Sequence, residues 1–288
     1  MEHLNELISK EYLAKLDRLV LSIREKLSQQ GYSGTRKSLA KGNSLEFSDF
    51  REYTAGDDLR RVDWNSYSRL DRLYLKLFME EKQATVSLFL DNSASMGMEK
   101  KMIYAKALAA SLSYITLQSM DKLNILSWNQ GLNAKKTHVH NKTRFLEIIH
   151  FLDGIQAFGE TNLSKSIHEF CKQPLVRGVS IVISDFLSEE NWEESIKLLQ
   201  YQKQDVIFIW ILSAEEKEPT LQGNIRLQDV ETNAAWDMEI TNSILTAYQK
   251  ELSRYEAYLK ELCKKKNVRF FSVVEGEPLL NVITRIVS

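Results

Sequence analysis

A chain of 288 residues, 43% hydrophobic and 27% charged, can bury a sizeable core without disulfide or metal staples. Its formal net charge of -1 gives no global reason to expect nucleic acid or an anionic membrane as partner. Two cysteines far apart, Cys171 and Cys263, are too few for a disulfide framework, and the lack of a Cys-x-x-Cys or Cys/His cluster argues against zinc. The N-terminal MEHLNELISKEY lacks an apolar signal core, and the longest strongly apolar run, Val206 to Leu212, is far shorter than a membrane span. The expectation is a cytoplasmic protein in a reducing compartment.

Taken in order, Leu4 to Leu27 reads as an amphipathic helix, with apolar residues every three or four positions and Gly31 as its stop. The plain reading packs it on its own domain. Residues 31–83 are dense in charges and aromatics. Between Arg36 and Lys82 stand ten Lys/Arg and nine Asp/Glu, too balanced for a nucleic-acid face. Thr54 to Asp57 reads as a turn and Leu73 to Phe78 as a strand, in an extension that clasps the domain that follows.

From Thr85 a strand–helix alternation sets in. Strands are expected at Val86 to Leu90, Leu123 to Trp128, Val179 to Ile183, Val206 to Leu212 and Val268 to Val274, with an edge strand at Asn133 to His140. Helices are expected at Lys100 to Met120, Phe145 to Leu152, Leu163 to Cys171, Trp192 to Gln202, Ser243 to Lys266 and Pro278 to Val287. Pro219 to Ile240 breaks the rhythm with two short extended pieces that read as a hairpin. The long helix from Ser243 has a three-and-four apolar spacing, and lying on the sheet is favoured over a coiled-coil seam. The fold class is α/β: a Rossmann-like, doubly wound, mostly parallel sheet with helices on both faces. The expected organisation is an N-terminal helix (1–30), a charged extension (31–83) and the α/β domain (84–288).

Asp91-x-Ser93-x-Ser95 follows the first of these strands, Thr161 precedes a helix, and Asp185 follows another strand. In a doubly wound sheet these three loops meet at one edge, where such sheets bind ligands. Two carboxylates and three hydroxyls are hard oxygen donors that suit Mg²⁺ or Ca²⁺, and the two negative charges balance a dication. Turn formation and helix capping would use the same residue types, Thr161 as an N-cap included.

Asp91-Asn92-Ser93-Ala94-Ser95-Met96-Gly97, with Thr161 in Gly159-Glu160-Thr161-Asn162-Leu163 and Asp185 in Ile183-Ser184-Asp185-Phe186, resembles a von Willebrand factor type A domain and its metal-ion-dependent adhesion site. Upstream, Glu46-Phe47-x-x-Phe50-Arg51-x-Tyr53, Gly56-Asp57-Asp58-x-Arg60 and Val62-Asp63-Trp64 resemble the signature of a bacterial family known as domain of unknown function fifty-eight. The resemblance implies a divalent cation (Mg²⁺, with Mn²⁺ or Ca²⁺ as alternatives) at the top of the sheet. Ser93, Ser95 and Thr161 would touch it, and Asp91 and Asp185 would act mostly through water. It also implies association with a MoxR-type AAA+ ATPase or that ATPase's client. Glu160 departs from the pattern, where such domains often carry a second glycine.

The leading functional expectation is a non-enzymatic adaptor whose cation accepts a partner's carboxylate. The alternatives are a metal-free scaffold and a metal-dependent hydrolase. Against the last, the sequence has no Asp-x-Asp motif, nucleophile elbow or phosphate loop, and its five histidines are not clustered with serines or cysteines.

Overall fold

The computed structural model describes residues 4–29, 37–38, 45–70, 72–81, 84–98, 100–172, 175–188, 190–221, 223–228 and 235–287. Two compact units emerge, one formed by Met1–Leu21 with Ala84–Ser288 and the other by Ser22–Gln83.

The large unit is built on six strands: β1 (Thr85–Asp91), β2 (Lys122–Trp128), β3 (Leu132–Val139), β4 (Gly178–Ser184), β5 (Gln204–Leu212) and β6 (Arg269–Val274). They lie in the order β6-β5-β4-β1-β2-β3. All neighbours are parallel except β2 and β3. The doubly wound, mostly parallel α/β architecture expected from the sequence is therefore present, with Leu132–Val139 as its antiparallel edge.

The central strands are apolar on both faces because both faces are covered. Side chains alternate across a strand, so β5 sends Ile207, Ile209 and Ile211 into one core and Val206, Phe208, Trp210 and Leu212 into the other. In the same way β1 divides Leu88 and Leu90 from Phe89. The first core is closed by helices Lys101–Gln118, Phe145–Asp153 and Leu279–Val287, the second by Leu163–Phe170, Trp192–Tyr201 and Asn242–Lys265. The long Asn242–Lys265 helix lies on the sheet through Leu259, Leu262 and Cys263.

Two expectations needed correction. The N-terminal helix is not continuous: Leu4–Leu7 and Lys10–Gln29 are separate, and Ser9 Oγ accepts the Tyr12 N–H at 3.2 Å, so the serine starts the second helix as a cap. Leu4, Ile8 and Leu16 are buried in the first core, as the plain reading held, and the Tyr12 hydroxyl meets Ser111 Oγ at 2.8 Å. This cover explains the second correction. The Lys101–Gln118 helix, whose Met102, Ala105, Leu108, Ala109, Leu112 and Ile115 read in sequence as one apolar face, is buried on nearly every side, because it lies between the sheet and the N-terminal helix. The expected stop at Gly31 lies outside the described residues.

In the small unit Leu45–Glu52 and Tyr74–Glu81 pair antiparallel, with Lys37–Ser38 on the other side of Tyr74–Glu81, and Trp64–Leu70 is a helix. The strand near Leu73 and the turn at Thr54 to Asp57 were expected, and both are present; the Leu45–Glu52 strand and the Trp64–Leu70 helix were not. Much of the family-like signature is spent on turns. Asp57 accepts from the Thr54 N–H and hydroxyl and from Arg51. Asp58 accepts from the Arg60 N–H, and Asp63 from the Asn65 N–H and the Ser66 hydroxyl. Gly56, at φ +107°, takes a backbone conformation that other residues rarely adopt.

Candidate functional site

β1 and β4 are adjacent, yet the chain leaves them toward opposite sides of the sheet, to β2 and to β5. The crevice beyond their carboxyl ends is the switch point at which open α/β sheets place their ligands. β1 ends on Asp91, and β4 ends on Ser184 followed by Asp185.

Asp91 is fully buried. Its Oδ1 accepts the Ser93 N–H at 2.9 Å, and its Oδ2 accepts the Ser184 hydroxyl at 2.6 Å and the Thr161 hydroxyl at 3.5 Å. Ser93 Oγ and Ser95 Oγ are 3.1 Å apart. The loop that brings Thr161 is fastened to the Asp91 loop by its backbone. Phe158 N–H donates to Asn92 O (2.9 Å), Ala94 N–H to Gly159 O (2.8 Å), and Asn92 Nδ2 to Gln156 O (2.9 Å). A Cβ on Gly97 would come within 2.9 Å of the Ala157 Cβ, so the two loops pack too closely there for a side chain.

The capping role considered for Thr161 falls to its neighbour. Asn162 Oδ1 accepts the Lys165 N–H at 2.9 Å at the start of Leu163–Phe170, and Glu190 accepts the Leu163 N–H. Thr161 is thereby left to face Asp91.

Asp185 is placed at the same edge, 2% exposed, but its Oδ2 is taken by an unforeseen group. Lys101 Nζ lies 2.9 Å from Asp185 Oδ2 and 2.7 Å from Glu216 Oε1, with its side chain wholly buried. Burial opposes the ammonium charge, but Asp185 and Glu216 outweigh it and raise the lysine pKa above its usual value. Asp91 moves the other way from a typical acid. Burial and the facing Asp185 charge push its pKa up to about 7, against the lowering effect of the Ser184 and Ser93 hydrogen bonds.

The sequence reading named Asp91, Ser93, Ser95, Thr161 and Asp185, and the structure brings all five to one edge. Ser184, Lys101 and Glu216 were missed. Ser184 adjoins Asp185 and carried that much signal. Lys101 opens a helix that carries a second lysine, Lys106, and Glu216 belongs to a four-residue helix beyond β5, so neither had a spacing to betray it. Glu160 is exposed, with Gln130 Nε2 3.4 Å from its carboxylate.

The donor set fits a hard cation. It is all oxygen, and the Ser93–Ser95 hydroxyl separation of 3.1 Å is close to the edge of about 2.9 Å between adjacent ligands of octahedral Mg²⁺. Among the described residues no three His, Cys, Asp or Glu side chains form a metal cluster, so any cation here would depend on the hydroxyls. The two thiols are free, and burial pushes Cys171 up to about 11 and Cys263 up to about 12, away from the reactive range. His168 pairs with Glu194 on the surface at 3.7 Å, and His138 and His140 are exposed.

Sheet order and strand direction define a doubly wound, mostly parallel α/β domain with its acidic loop at the switch point. The chain itself belongs to a family described as protein of unknown function DUF58, whose model matches residues 49–258. An uncharacterized protein of Mycobacterium tuberculosis is 24% identical over 251 residues, covering 85% of this chain and 78% of that protein. Among solved structures, the conserved hypothetical protein BatB from Bacteroides thetaiotaomicron is similar at 15% identity and TM-score 0.45, over 70% of this chain and 96% of that one. A von Willebrand factor type A protein from Catenulispora acidiphila is similar at 13% identity and TM-score 0.44, over 73% and 43%. An aerotolerance-related membrane protein from Bacteroides fragilis is similar at 16% identity and TM-score 0.40, over 71% and 98%. Among the described residues of this chain, no helix is long and apolar enough to cross a membrane.

Proposed function

We propose that this chain is a non-catalytic interaction module that docks a partner protein's carboxylate through a divalent cation. Ser93, Ser95 and Thr161 would hold the ion directly, with Asp91 and Asp185 acting through water. Mg²⁺ is the leading ion, with Mn²⁺ and Ca²⁺ as alternatives. The observation that carries this reading is the convergence of hydroxyl and carboxylate oxygens from two backbone-fastened loops at the switch point of the sheet. When bound, the cation would supply a Lewis-acidic seat for the partner's oxygen.

The surroundings support docking. Three exposed bulky apolar side chains stand on the loops that carry the site, each held by its backbone N–H to a site residue or its neighbour. Met98 donates to Ser95 O, Phe158 to Asn92 O, and Leu187 to Asp185 Oδ1. Solvent-facing apolar groups around a polar centre are the anatomy of a protein contact. The partner of choice is a MoxR-type AAA+ ATPase or its client, which rests on the family resemblance, and the setting of choice is the cytoplasm.

A metal-free scaffold is the second reading, and one observation favours it. Both acids already have protein partners, Asp91 in Ser93 and Ser184 and Asp185 in Lys101 and Leu187. Thermal unfolding in EDTA against millimolar Mg²⁺ or Mn²⁺ separates the two, because a ligand that binds only the folded state raises Tm. A cation-dependent rise that Thr161→Ala removes, with cation-dependent capture of purified MoxR-type ATPase, supports the adaptor. No rise with either ion leaves the scaffold.

A further inference from the structure

A wholly buried lysine beside a candidate cation site needs a reason, because removing an ammonium from water is expensive even when it is paired. Lys101 stands in the first turn of its helix and reaches two carboxylates at once. The two are held unequally. Glu216 is fixed on its own account: its Oε2 accepts the Ser213 N–H at 2.7 Å, its N–H donates to Ser213 Oγ at 3.0 Å, and its carbonyl accepts the Tyr248 hydroxyl at 2.8 Å. Asp185, apart from Lys101, has the Leu187 N–H at 3.3 Å. The ammonium thus has one firm seat at Glu216 and one looser hold on Asp185.

We infer that Lys101 is an internal placeholder cation: it competes with the site's divalent ion for Asp185, and Glu216 is the seat that keeps its charge compensated when Asp185 is given up. The inference rests on the reading of the site as a divalent-cation site. The charges agree with it. With the three acids ionised, Asp91, Asp185 and Glu216 against Lys101 leave two negative charges, and with Lys101 assigned to Glu216 those two are Asp91 and Asp185, the pair that faces the candidate ion. A placeholder of this kind keeps Asp185 from standing unpaired beside Asp91 when no ion is bound, and it makes the ion exchangeable. Lys101 and Glu216 are positioning residues here, acting through Asp185.

The two residues should act with opposite sign, which a merely structural role would not produce. Mg²⁺ and Mn²⁺ affinities of the full chain would be measured at one pH by calorimetry, with Mn²⁺ electron paramagnetic resonance as a second readout. Lys101→Met should bind the ions about tenfold tighter or more, since a repelling charge is gone and Asp185 is released. Glu216→Gln should bind them about tenfold more weakly, since the ammonium then has Asp185 as its sole carboxylate. Lys100→Met and Glu215→Gln repeat each charge change on an exposed neighbour and should stay within about twofold of the wild type. Equal effects in the test and control variants, or the same sign in both test variants, overturn the inference while leaving the cation site standing. If Lys101→Met does not fold, Glu216→Gln decides alone, because its amide oxygen still accepts the Ser213 N–H. Absence of binding in the wild type and in every variant would overturn the cation site itself, and the inference with it.

Discussion

Asp91→Asn is the substitution that tests the site most sharply, because it should improve stability and remove function together. The amide keeps the shape of the carboxylate, and its oxygen still accepts the Ser93 N–H that Asp91 Oδ1 accepts at 2.9 Å. Its nitrogen replaces the Oδ2 that accepts the Ser184 and Thr161 hydroxyls, which must turn to accept instead, and it removes a buried negative charge that faces a second one. In the folded chain burial and Asp185 push the Asp91 pKa up to about 7, from 3.8. A raised carboxylate pKa means that the folded state holds the proton longer than the unfolded chain, so stability falls as pH rises from 3.8 through about 7 and stays low above it. At pH 8 the ionised group therefore costs on the order of a few kcal/mol, which a neutral isostere recovers. At about 2–4 °C per kcal/mol for domains of 150–250 residues, Tm in EDTA at pH 8 should rise by several degrees. Millimolar Mg²⁺ should then add nothing, whereas it should raise the wild type. Circular dichroism melts of both proteins, with EDTA and with Mg²⁺, are sufficient. A mutant that melts below the wild type in EDTA would refute the electrostatic reasoning, and a mutant that still responds to Mg²⁺ would refute the place of Asp91 in the site.

Asn162→Ala should cost about 1 kcal/mol through loss of the helix cap while leaving the cation response intact, and Thr161→Ala should do the reverse; paired melts with and without Mg²⁺ distinguish them. Gly178→Ala should destabilise by about 3 kcal/mol or more in chemical denaturation, since a Cβ there would lie 2.1 Å from the Thr85 carbonyl oxygen on the paired strand, and neither strand can shift without breaking its ladder. Asp57, held down to about 2 by Arg51 and the Thr54 donors, contributes stability that is present above its unfolded value of 3.8 and is lost as pH falls through about 2. Asp57→Asn should flatten that acid limb, and an unchanged limb would show that the Thr54–Asp57 turn does not depend on the charge.

The large unit was legible because its signals are local and repeated. Val206 to Leu212 is an unbroken apolar run, and such runs at intervals with helical spacing between them admit little besides a covered parallel sheet. Asp91, Thr161 and Asp185 could be assembled from sequence for a related reason: each is defined by the end of an element, and the winding of the sheet sends those ends to one edge. The small unit resisted because Leu45–Glu52 carries charges at Glu46, Asp49, Arg51 and Glu52, which hide a strand from any test of apolar alternation.

Lys101 was illegible for a deeper reason. Charge in a sequence carries no sign of where it will be spent, and a lysine opening a helix reads as surface. Its partner Glu216 is 115 residues away, in a short helix that exists through its own Ser213 capping box. The pairing that gives Asp185 a buried cation is therefore set by tertiary placement alone. Its effect is nonetheless large enough to change the meaning of the motif. Counted from sequence, Asp91 and Asp185 were two free ligands awaiting a dication. In the fold one of them is already bound to a cation that the protein supplies, and the other is buried and reluctant to ionise. A site so arranged should favour an ion whose charge is shared with a further anion, and under the proposed docking that anion would be the partner's own carboxylate.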